Sequence, residues 1–381
     1  VVAVLRATGR AAVTEDEVAQ PKAKRIVIAG GGTGGHLMPA LALARELVAR
    51  GAEVLLIGAP RGPDREILPA SGLPYRILDA PALDRRRWWR NARVPVALAA
   101  AVARARSVVR AFRPDVAVGT GGYVMVPALL AARMYGVPIV LQEQNRVPGV
   151  ATRFLSRWAR AICVQFEETV SALGGRARVE VTGSPIAPPV PVPADFAARL
   201  DGERRTLGVF GGSQGARAIN DAVIGILGAN PAAAPFNLVW QTGAADHARI
   251  RVTTWPSRFV IRAFFSPMQG VYPLLDLIVC RAGAMTLAEV TAWGIPAILV
   301  PYPLATADHQ MLNARALERA GAAVVIPQSE LDPERLGRTV AELLADPLRR
   351  RTMAEAARRL GRPDAAARVA DRVLELAGRA A

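Results

Sequence analysis

Gly30, Gly31, Gly32, Thr33, Gly34, Gly35 and His36 stand in a row, and no other stretch of the chain concentrates as much chemical capacity. Glycines let backbone amides come close to an anion, and a helix that follows them turns the positive end of its dipole toward it. His36, at the mouth of that helix, titrates near neutral pH and suits a general base; a structural role capping the loop is the competing reading. Such a loop could hold a dinucleotide, a nucleotide sugar or a lipid diphosphate. Gly30, Gly32 and Gly35 meet the dinucleotide fingerprint. The next strand, however, runs into Gly58, Ala59, Pro60 and Arg61, where the fingerprint needs an acid for the ribose. A simple dehydrogenase therefore loses ground. No phosphate-binding lysine follows the loop, which counts against a P-loop NTPase.

A second cluster, Gly211-Gly212-Ser213-Gln214-Gly215, has the form of a serine-hydrolase elbow, with His247 or His309 available as the base. A hydrolase would leave Gln214 and the His36 loop without a role, so that reading is set aside. His36, His247 and His309 are the only histidines, and His247 lies in a polar stretch expected at the surface. No metal-ligand cluster assembles from them. The nearest acid pair, Asp201-Gly202-Glu203, falls in a loop, so a metal-dependent sugar transferase is disfavoured and no cofactor is expected. Thr286 and Glu289 stand three apart at a helix start. That spacing suits a capping box, or a Glu placed on ribose hydroxyls behind helix amides that hold a diphosphate.

The surrounding pattern says what positions these residues. Arg25–Ala29 is a short β-branched run, Leu41, Ala44, Leu47 and Val48 recur at helical spacing, and Glu53–Gly58 is a second strand. Strand, helix and strand in this order make a βαβ unit and imply a parallel sheet. Further strands are expected at Asp115–Gly119, Gly136–Leu141, Ala161–Gln165 and Val179–Thr182. Gln142, Glu143, Gln144 and Asn145 gather past the end of one of them, at the edge of a parallel sheet that binds ligands. Gly183 and the prolines from Pro185 to Pro193 read as an interdomain linker. The second half starts over: strand Thr206–Phe210, glycine loop, helix Ala216–Leu227, strand Leu277–Cys280, helix Ala284–Trp293 and strand Gly294–Val300. Two halves with one grammar predict an α/β chain of two similar doubly wound domains facing each other. Residues 1–23 are expected to be a disordered tail, 24–186 the first domain and 187–362 the second, with a C-terminal helix of about 363–381 packing back on the first.

The bulk numbers agree with this plan and add a constraint. A length of 381 residues fits two domains. The formal net charge is +16 and comes almost wholly from arginine, since Lys22 and Lys24 are the only lysines. An excess of that size suggests a polyanionic partner: nucleic acid, an anionic membrane face or a phosphorylated substrate. Leu83–Val94 concentrates it, with Arg85, Arg86, Arg87, Arg90 and Arg93 around Trp88 and Trp89. That composition suits a membrane interface, and equally a helix whose Trp pair packs inward; nucleic acid is less favoured because no recognisable binding motif accompanies it. The most apolar long run, Val94–Val109, is interrupted by Arg104 and Arg106, so a soluble or peripheral protein is expected rather than a spanning one. Cys163 and Cys280 lie in apolar strands and read as buried, reduced thiols.

GGGTGGHLMPALALA, GGYVMVPAL, QEQN, GGSQGA, CRAGAMTLAEV, GIPAILVPYP and DHQMLNA, in this order from about Arg25 to Val325, resemble the MurG family of peptidoglycan N-acetylglucosaminyltransferases. The resemblance implies a GT-B fold of two Rossmann-like domains around a cleft. It implies an inverting, metal-independent transfer of GlcNAc from UDP-GlcNAc to the 4-OH of MurNAc in the undecaprenyl-diphosphate-linked muramyl pentapeptide, lipid I, giving lipid II. Carried onto this sequence, it assigns donor contacts to Thr33, Gly34, Gly35, Asn145, Ser213, Phe265, Ala284, Met285, Thr286, Leu287, Ala288, Glu289 and Gln310. Glu289 would take the ribose hydroxyls, and Phe265 would frame the uracil through its backbone. His36 becomes the candidate base, and Tyr123 and Glu143 become acceptor-side candidates. Arg85, Arg86, Arg87, Trp88 and Trp89 would dock on the anionic inner leaflet, making the enzyme peripheral on the cytoplasmic face of the cell membrane. Other cell-wall synthesis proteins are then expected as partners, and nucleic acid is not.

Two departures from the family pattern stand out. Where the family shows Asn-Pro-Val-Arg after the linker glycine, this chain has Ser184-Pro185-Ile186-Ala187, which implies either a lower donor affinity or replacement of the arginine by Arg281 or another cation. The family's His-Glu-Gln-Asn appears as Gln142-Glu143-Gln144-Asn145. The remaining alternatives are a related GT-B transferase acting on another lipid or a natural-product acceptor, and a non-catalytic nucleotide-sugar or nucleic-acid binding protein.

Overall fold

A computed structural model describes residues 23–82, 92–173, 175, 177–212, 215–228, 230–305 and 308–379. Nearly all of the expected tail, the Arg85–Trp89 segment and Ser213 lie outside the described residues. Among those described, the chain forms two separate parallel sheets. The first is built from β1 (Arg25–Gly30), β2 (Glu53–Gly58), β3 (Tyr75–Ile77), β4 (Val116–Gly121), β5 (Ile139–Glu143), β6 (Ala159–Val164) and β7 (Arg178–Val181), in the order β3-β2-β1-β4-β5-β6-β7. Its helices are α1 (Gly34–Ala49), α2 (Asp64–Ala70), α3 (Val94–Phe112), α4 (Met125–Met134), α5 (Val150–Ser156) and α6 (Glu168–Leu173). After the linker and the short α7 (Ala194–Ala197), the second sheet contains β8 (Thr206–Phe210), β9 (Asn237–Gln241), β10 (Phe259–Arg262), β11 (Leu277–Cys280), β12 (Ala297–Leu299) and β13 (Ala323–Val325), in the order β10-β9-β8-β11-β12-β13. Its helices are α8 (Arg217–Leu227), α9 (Ala244–Arg251), α10 (Ala284–Trp293), α11 (His309–Arg319), α12 (Pro333–Ala345) and α13 (Pro347–Leu360), followed by the terminal α14 (Ala365–Arg379).

Strand alternation accounts for the layers. Ile26, Ile28, Val54, Leu56, Val116 and Val118 face α1 and α14, while Val27, Ala29, Ile57, Ala117 and Leu141 face the α3–α4 side. Both faces are covered, which is why these strands read as nearly continuous apolar runs. α14 leaves the second unit and lays Val369, Ala370, Val373 and Ala377 on the first sheet, all fully buried. Each of the two valines contributes roughly 2 kcal/mol by its removal from water. The two chain crossings touch at Gly183, whose φ is +82; a Cβ there would stand 2.6 Å from the Cβ of Arg362.

Several element bounds move from those expected. β5 begins at Ile139 rather than Gly136 and carries Gln142 and Glu143 as its last residues, so half of the polar quartet is strand. β12 is confined to Ala297–Leu299 because Pro296 and Pro301 flank it. β3, β9, β10 and β13 were not anticipated: β3 and β13 have three residues each, and Asn237 and Gln241 hid β9.

Candidate active site

In each sheet the order reverses once, and loops that leave neighbouring strands in opposite directions open a crevice there. In the first sheet the reversal lies between β1 and β4, bringing Gly31–Thr33 beside Gly122 and Tyr123. Thr33 precedes α1 in extended conformation, and its Oγ1 lies 3.0 Å from His36 Nδ1. The imidazole rests on the Gly121–Gly122 backbone: a Cβ at Gly121 would stand 2.3 Å from its Cδ2, and both glycines have positive φ. The Thr120 hydroxyl donates to the His36 carbonyl at 2.9 Å. Burial draws His36 below its ordinary pKa, opposed in part by Glu143, the Gly31 backbone and Asp64, so the ring is neutral at physiological pH. In the tautomer whose Nδ1–H donates to Thr33 Oγ1, Nε2 is the nitrogen that can take a proton.

Gly34 and Gly35 are first-turn residues, since the Thr33 carbonyl accepts from the His36 N–H at 3.2 Å and the Leu37 N–H at 3.0 Å. Pro39 has no N–H to return to the Gly35 carbonyl, which is thereby left for another donor. Tyr123 Cε1 stands 3.0 Å from where a Gly32 Cβ would be. Burial, then Asp64, pushes its phenol upward, so it acts as a neutral hydroxyl. Glu143 accepts at Oε1 from the Asn145 N–H (3.0 Å) and Nδ2 (3.1 Å), and at Oε2 from the Gly149 N–H (3.0 Å). Its carboxylate thus shapes the 144–149 loop and orients Asn145.

Sequence reasoning missed Asp64. Its Oδ2 accepts from Gly32 N–H at 2.9 Å and its Oδ1 from Ala59 N–H at 2.7 Å, with no exposed surface. This acid lies close to where a dinucleotide fold keeps its ribose carboxylate, but it is spent on the glycine loop. A Cβ at Gly31 would fall 1.9 Å from Oδ1, which explains that glycine. The available signal was a lone acid opening a helix two residues after Gly62.

The second sheet reverses between β8 and β11. Gly283, extended, precedes α10, with no side-chain cap and no acid in the first turn. Its leading amides, from Ala284 and Met285, are thus arranged for an external anion, with Thr286 and Leu287 in the same turn. α10 starts ahead of Thr286, so Thr286 and Glu289 are not a capping box. Glu289 instead accepts from two side chains outside the helix: Tyr272 O–H donates to Oε2 at 2.7 Å and Gln269 Nε2 to Oε1 at 3.4 Å. Burial lifts its carboxyl to about 7, with the Tyr272 bond opposing. The Phe265 N–H donates to Gln241 Oε1 at 3.0 Å, while Gln241 Nε2 donates to the Gly212 carbonyl at 3.1 Å. Gln310 Oε1 accepts from the Tyr302 N–H at 3.0 Å.

The suggested stand-in for the absent arginine, Arg281, is engaged within its own domain. Arg281 donates from Nη1 to the Val300 and Pro301 carbonyls and from Nη2 to Gln328 Oε1, and it stacks on Tyr302. Every one of those partners belongs to the β12 side of its own domain. His247 also departs from expectation: it lies half-buried on α9, its Nδ1 3.1 Å from Thr242 Oγ1. Cys163 and Cys280 are free, buried thiols that burial pushes up to about 12.

The two half-sites meet. α1 and α10 approach one another, and Gln165 Nε2 reaches the carbonyl of Ala284, the first residue of α10, at 3.2 Å. The glycosyltransferase family 28 N-terminal domain matches residues 26–164 and its C-terminal domain residues 206–369. Relatives named UDP-N-acetylglucosamine–N-acetylmuramyl-(pentapeptide) pyrophosphoryl-undecaprenol N-acetylglucosamine transferase include one from Desulforudis audaxviator, 38% identical and covering 93% of this chain and 99% of its own. Another, from Syntrophotalea carbinolica, is 41% identical over 91% and 97%. The chain belongs to the MurG family. The crystal structure of MurG from Acinetobacter baumannii superposes with a TM-score of 0.70 at 30% identity, covering 92% of this chain and 99% of that one. The GT-B fold expected from the MurG resemblance is therefore the fold observed. The calicheamicin glycosyltransferase CalG4, at 17% identity and TM-score 0.66, shares that fold. Asp64 and Thr120, like the MurG motif residues they hold, belong to the first of the two half-sites.

Proposed function

We propose that this protein transfers GlcNAc from UDP-GlcNAc to the 4-OH of MurNAc in lipid I, giving lipid II with inversion. The observation that supports this most directly is the approach of the His36 loop and the α10 N-terminus across one cleft, in a chain whose relatives of that name match nearly end to end. His36 Nε2 takes the proton of the acceptor hydroxyl as its oxygen bonds to the anomeric carbon. The bond from that carbon to the UDP oxygen breaks, and the departing diphosphate is stabilised by the α10 amides and dipole without a metal. Glu289 takes the ribose hydroxyls. Phe265 offers its carbonyl to the uracil, its N–H being held by Gln241. The first domain serves the acceptor and the second the donor.

The test is transfer of radiolabelled GlcNAc from UDP-GlcNAc to lipid I, set beside a plain glycolipid acceptor. Label in lipid I alone is expected; label only in the glycolipid would assign the chain to a different acceptor class, and none in either would leave a binding protein.

The same reading places the enzyme on the inner leaflet. No helix among the described residues is long and apolar enough to cross a membrane. A docking face is supported by exposed Val96, Met134 and Tyr135, with Arg106 over the Tyr135 ring and Arg133 over Trp158. A groove of about 470 Å³ between Val102, Leu130, Arg133 and Met134 lies on this face. The Arg85–Trp89 composition adds cations and interfacial aromatics. Binding to anionic vesicles is expected to weaken with salt and when Arg85, Arg86 and Arg87 become Ser; salt-insensitive binding would sink the electrostatic account.

A further inference from the structure

A line of side chains, buried except for the half-buried Gln165, joins the two half-sites. Gln144 Nε2 donates to the Thr120 carbonyl at 2.5 Å and to Gln142 Oε1 at 2.6 Å. Gln142 Nε2 donates to Ser184 Oγ at 3.0 Å, the Ser184 hydroxyl donates to Gln165 Oε1 at 2.6 Å, and Gln165 Nε2 donates to the Ala284 carbonyl. Gln142, Gln144 and Ser184 are each at most 2% exposed.

The polarity of this chain is fixed at both ends. The Ala284 carbonyl can only accept, so Gln165 must turn its amide nitrogen toward it and its oxygen toward Ser184. Ser184 then gives its proton to Gln165 and accepts from Gln142, whose oxygen is left for Gln144. The Thr120 carbonyl, at the far end, can also only accept. Gln144 resolves the conflict because a primary amide has two N–H groups, one for each direction. A reversed or interrupted member would leave a buried donor or acceptor unpaired, so the line has one wiring. Its ends matter: Thr120 holds the His36 carbonyl through its hydroxyl, and Ala284 opens α10.

We propose that Gln142 and Ser184 are positioning residues for transfer, setting the register between the Thr120 end of β4, which holds the His36 backbone, and the first turn of α10. This rests on the glycosyltransferase reading above. The two positions are those where the chain departs from the family's His and Asn, and they are bonded to each other. A His–Asn pair can be wired in the same direction: the ring accepts on one nitrogen and donates from the other, while the Asn amide accepts on oxygen and donates from nitrogen.

The experiment compares the wild type with Gln142→Glu, Ser184→Ala, their double variant, and the paired exchange Gln142→His with Ser184→Asn. Steady-state transfer and UDP titration are measured, with the distance between spin labels at Glu66→Cys and Glu334→Cys read with and without UDP. Gln142→Glu cannot donate to Ser184, and Ser184→Ala ends the line there. Each is expected to lower kcat about tenfold with UDP affinity within about twofold, and the double variant to lose no more than either single. The paired exchange is expected to restore kcat to within about threefold, and the label distance distribution to broaden only in the interrupted variants. Unchanged kcat and label distances in the singles, or strictly multiplicative losses in the double, would overturn the proposal. A wild type without transfer rejects the functional reading instead, and the label distances, which need no turnover, then decide the register.

Discussion

The two glycine-loop half-sites have the same topology and opposite states of readiness. On the first, the residues expected to act are locked by neighbours that a substrate need not displace: Asp64 holds Gly32, Thr120 holds the His36 backbone, and Glu143 holds Asn145. On the second, several of the residues expected to meet the nucleotide carry internal partners of their own, while the leading amides of α10 are uncapped. Tyr272 and Gln269 sit on Glu289, Gln241 sits on the Phe265 N–H, and Gln310 accepts from Tyr302. A base that abstracts a proton gains from preorganisation, because a small misplacement is expensive. A nucleotide site that must fill and empty each turnover instead exchanges hydrogen bonds, so net affinity stays modest while no buried polar group is left unpaired.

That contrast makes its sharpest prediction at His36. His36→Ala is expected to lower transfer by roughly 10²- to 10⁴-fold, as loss of a general base does, while UDP-GlcNAc affinity stays nearly intact. Equal loss of donor binding, measured by titration, would remove His36 as the base. Because burial lowers its pKa, His36 stays neutral as pH falls from 7.5 to its ordinary value, and the base-limited rate is lost only as pH falls further through the lowered pKa. A pH–rate profile under saturating donor reads this directly.

Asp64→Ala probes the locked side as structure. It strands the Gly32 and Ala59 amides in a buried setting, at about 1–3 kcal/mol for each that water does not reach. A fall in chemical-denaturation stability of about 3 kcal/mol, with UDP affinity of the folded fraction preserved, is the expected result. Stability within about 0.5 kcal/mol of wild type would mean that the loop is held by something other than this carboxylate.

How much of this was legible in the sequence follows from the range of each signal. The glycine loops, β8, β11 and α10 were legible because apolar runs and glycine punctuation are local properties. Asp64, Gln165 and Tyr272 were not, because each acts on a residue distant along the chain, at 32, 119 and 17 positions. Glu289 shows the limit best. Its spacing from Thr286 suits a capping box or a ribose ligand equally, and only the start of α10 at Ala284 removes the first. Likewise Arg281 looked available because sequence shows its charge and not the carbonyls that hold it.

The exchange account of the donor side is open to a pH test. Glu289 accepts ribose hydroxyls best as a carboxylate, and its pKa is raised to about 7. Between pH 8 and pH 6 UDP-GlcNAc affinity is therefore expected to fall by about tenfold, with Glu289→Gln flattening the dependence. The linked stability has the opposite sign. A carboxyl raised above its ordinary 4.5 favours the ligand-free fold at low pH, and that contribution is lost as pH rises from 4.5 through about 7. Donor affinity constant across this range would place the nucleotide on other groups.

Tyr272→Phe gives the smallest effect and the finest distinction. The Tyr272 hydroxyl either competes with the ribose for Glu289 or keeps the carboxylate ionised and aimed. It reaches Oε2 alone, and the longer Gln269 contact leaves acceptor capacity on Oε1, so both donors fit one carboxylate. Its removal takes away the bond that lowers the Glu289 pKa, so the midpoint of donor affinity moves to higher pH and neutral-pH affinity weakens by about threefold. Tighter binding of UDP-GlcNAc to Tyr272→Phe would instead show that the donor must evict the tyrosine, and that the two half-sites differ by competition as well as by readiness.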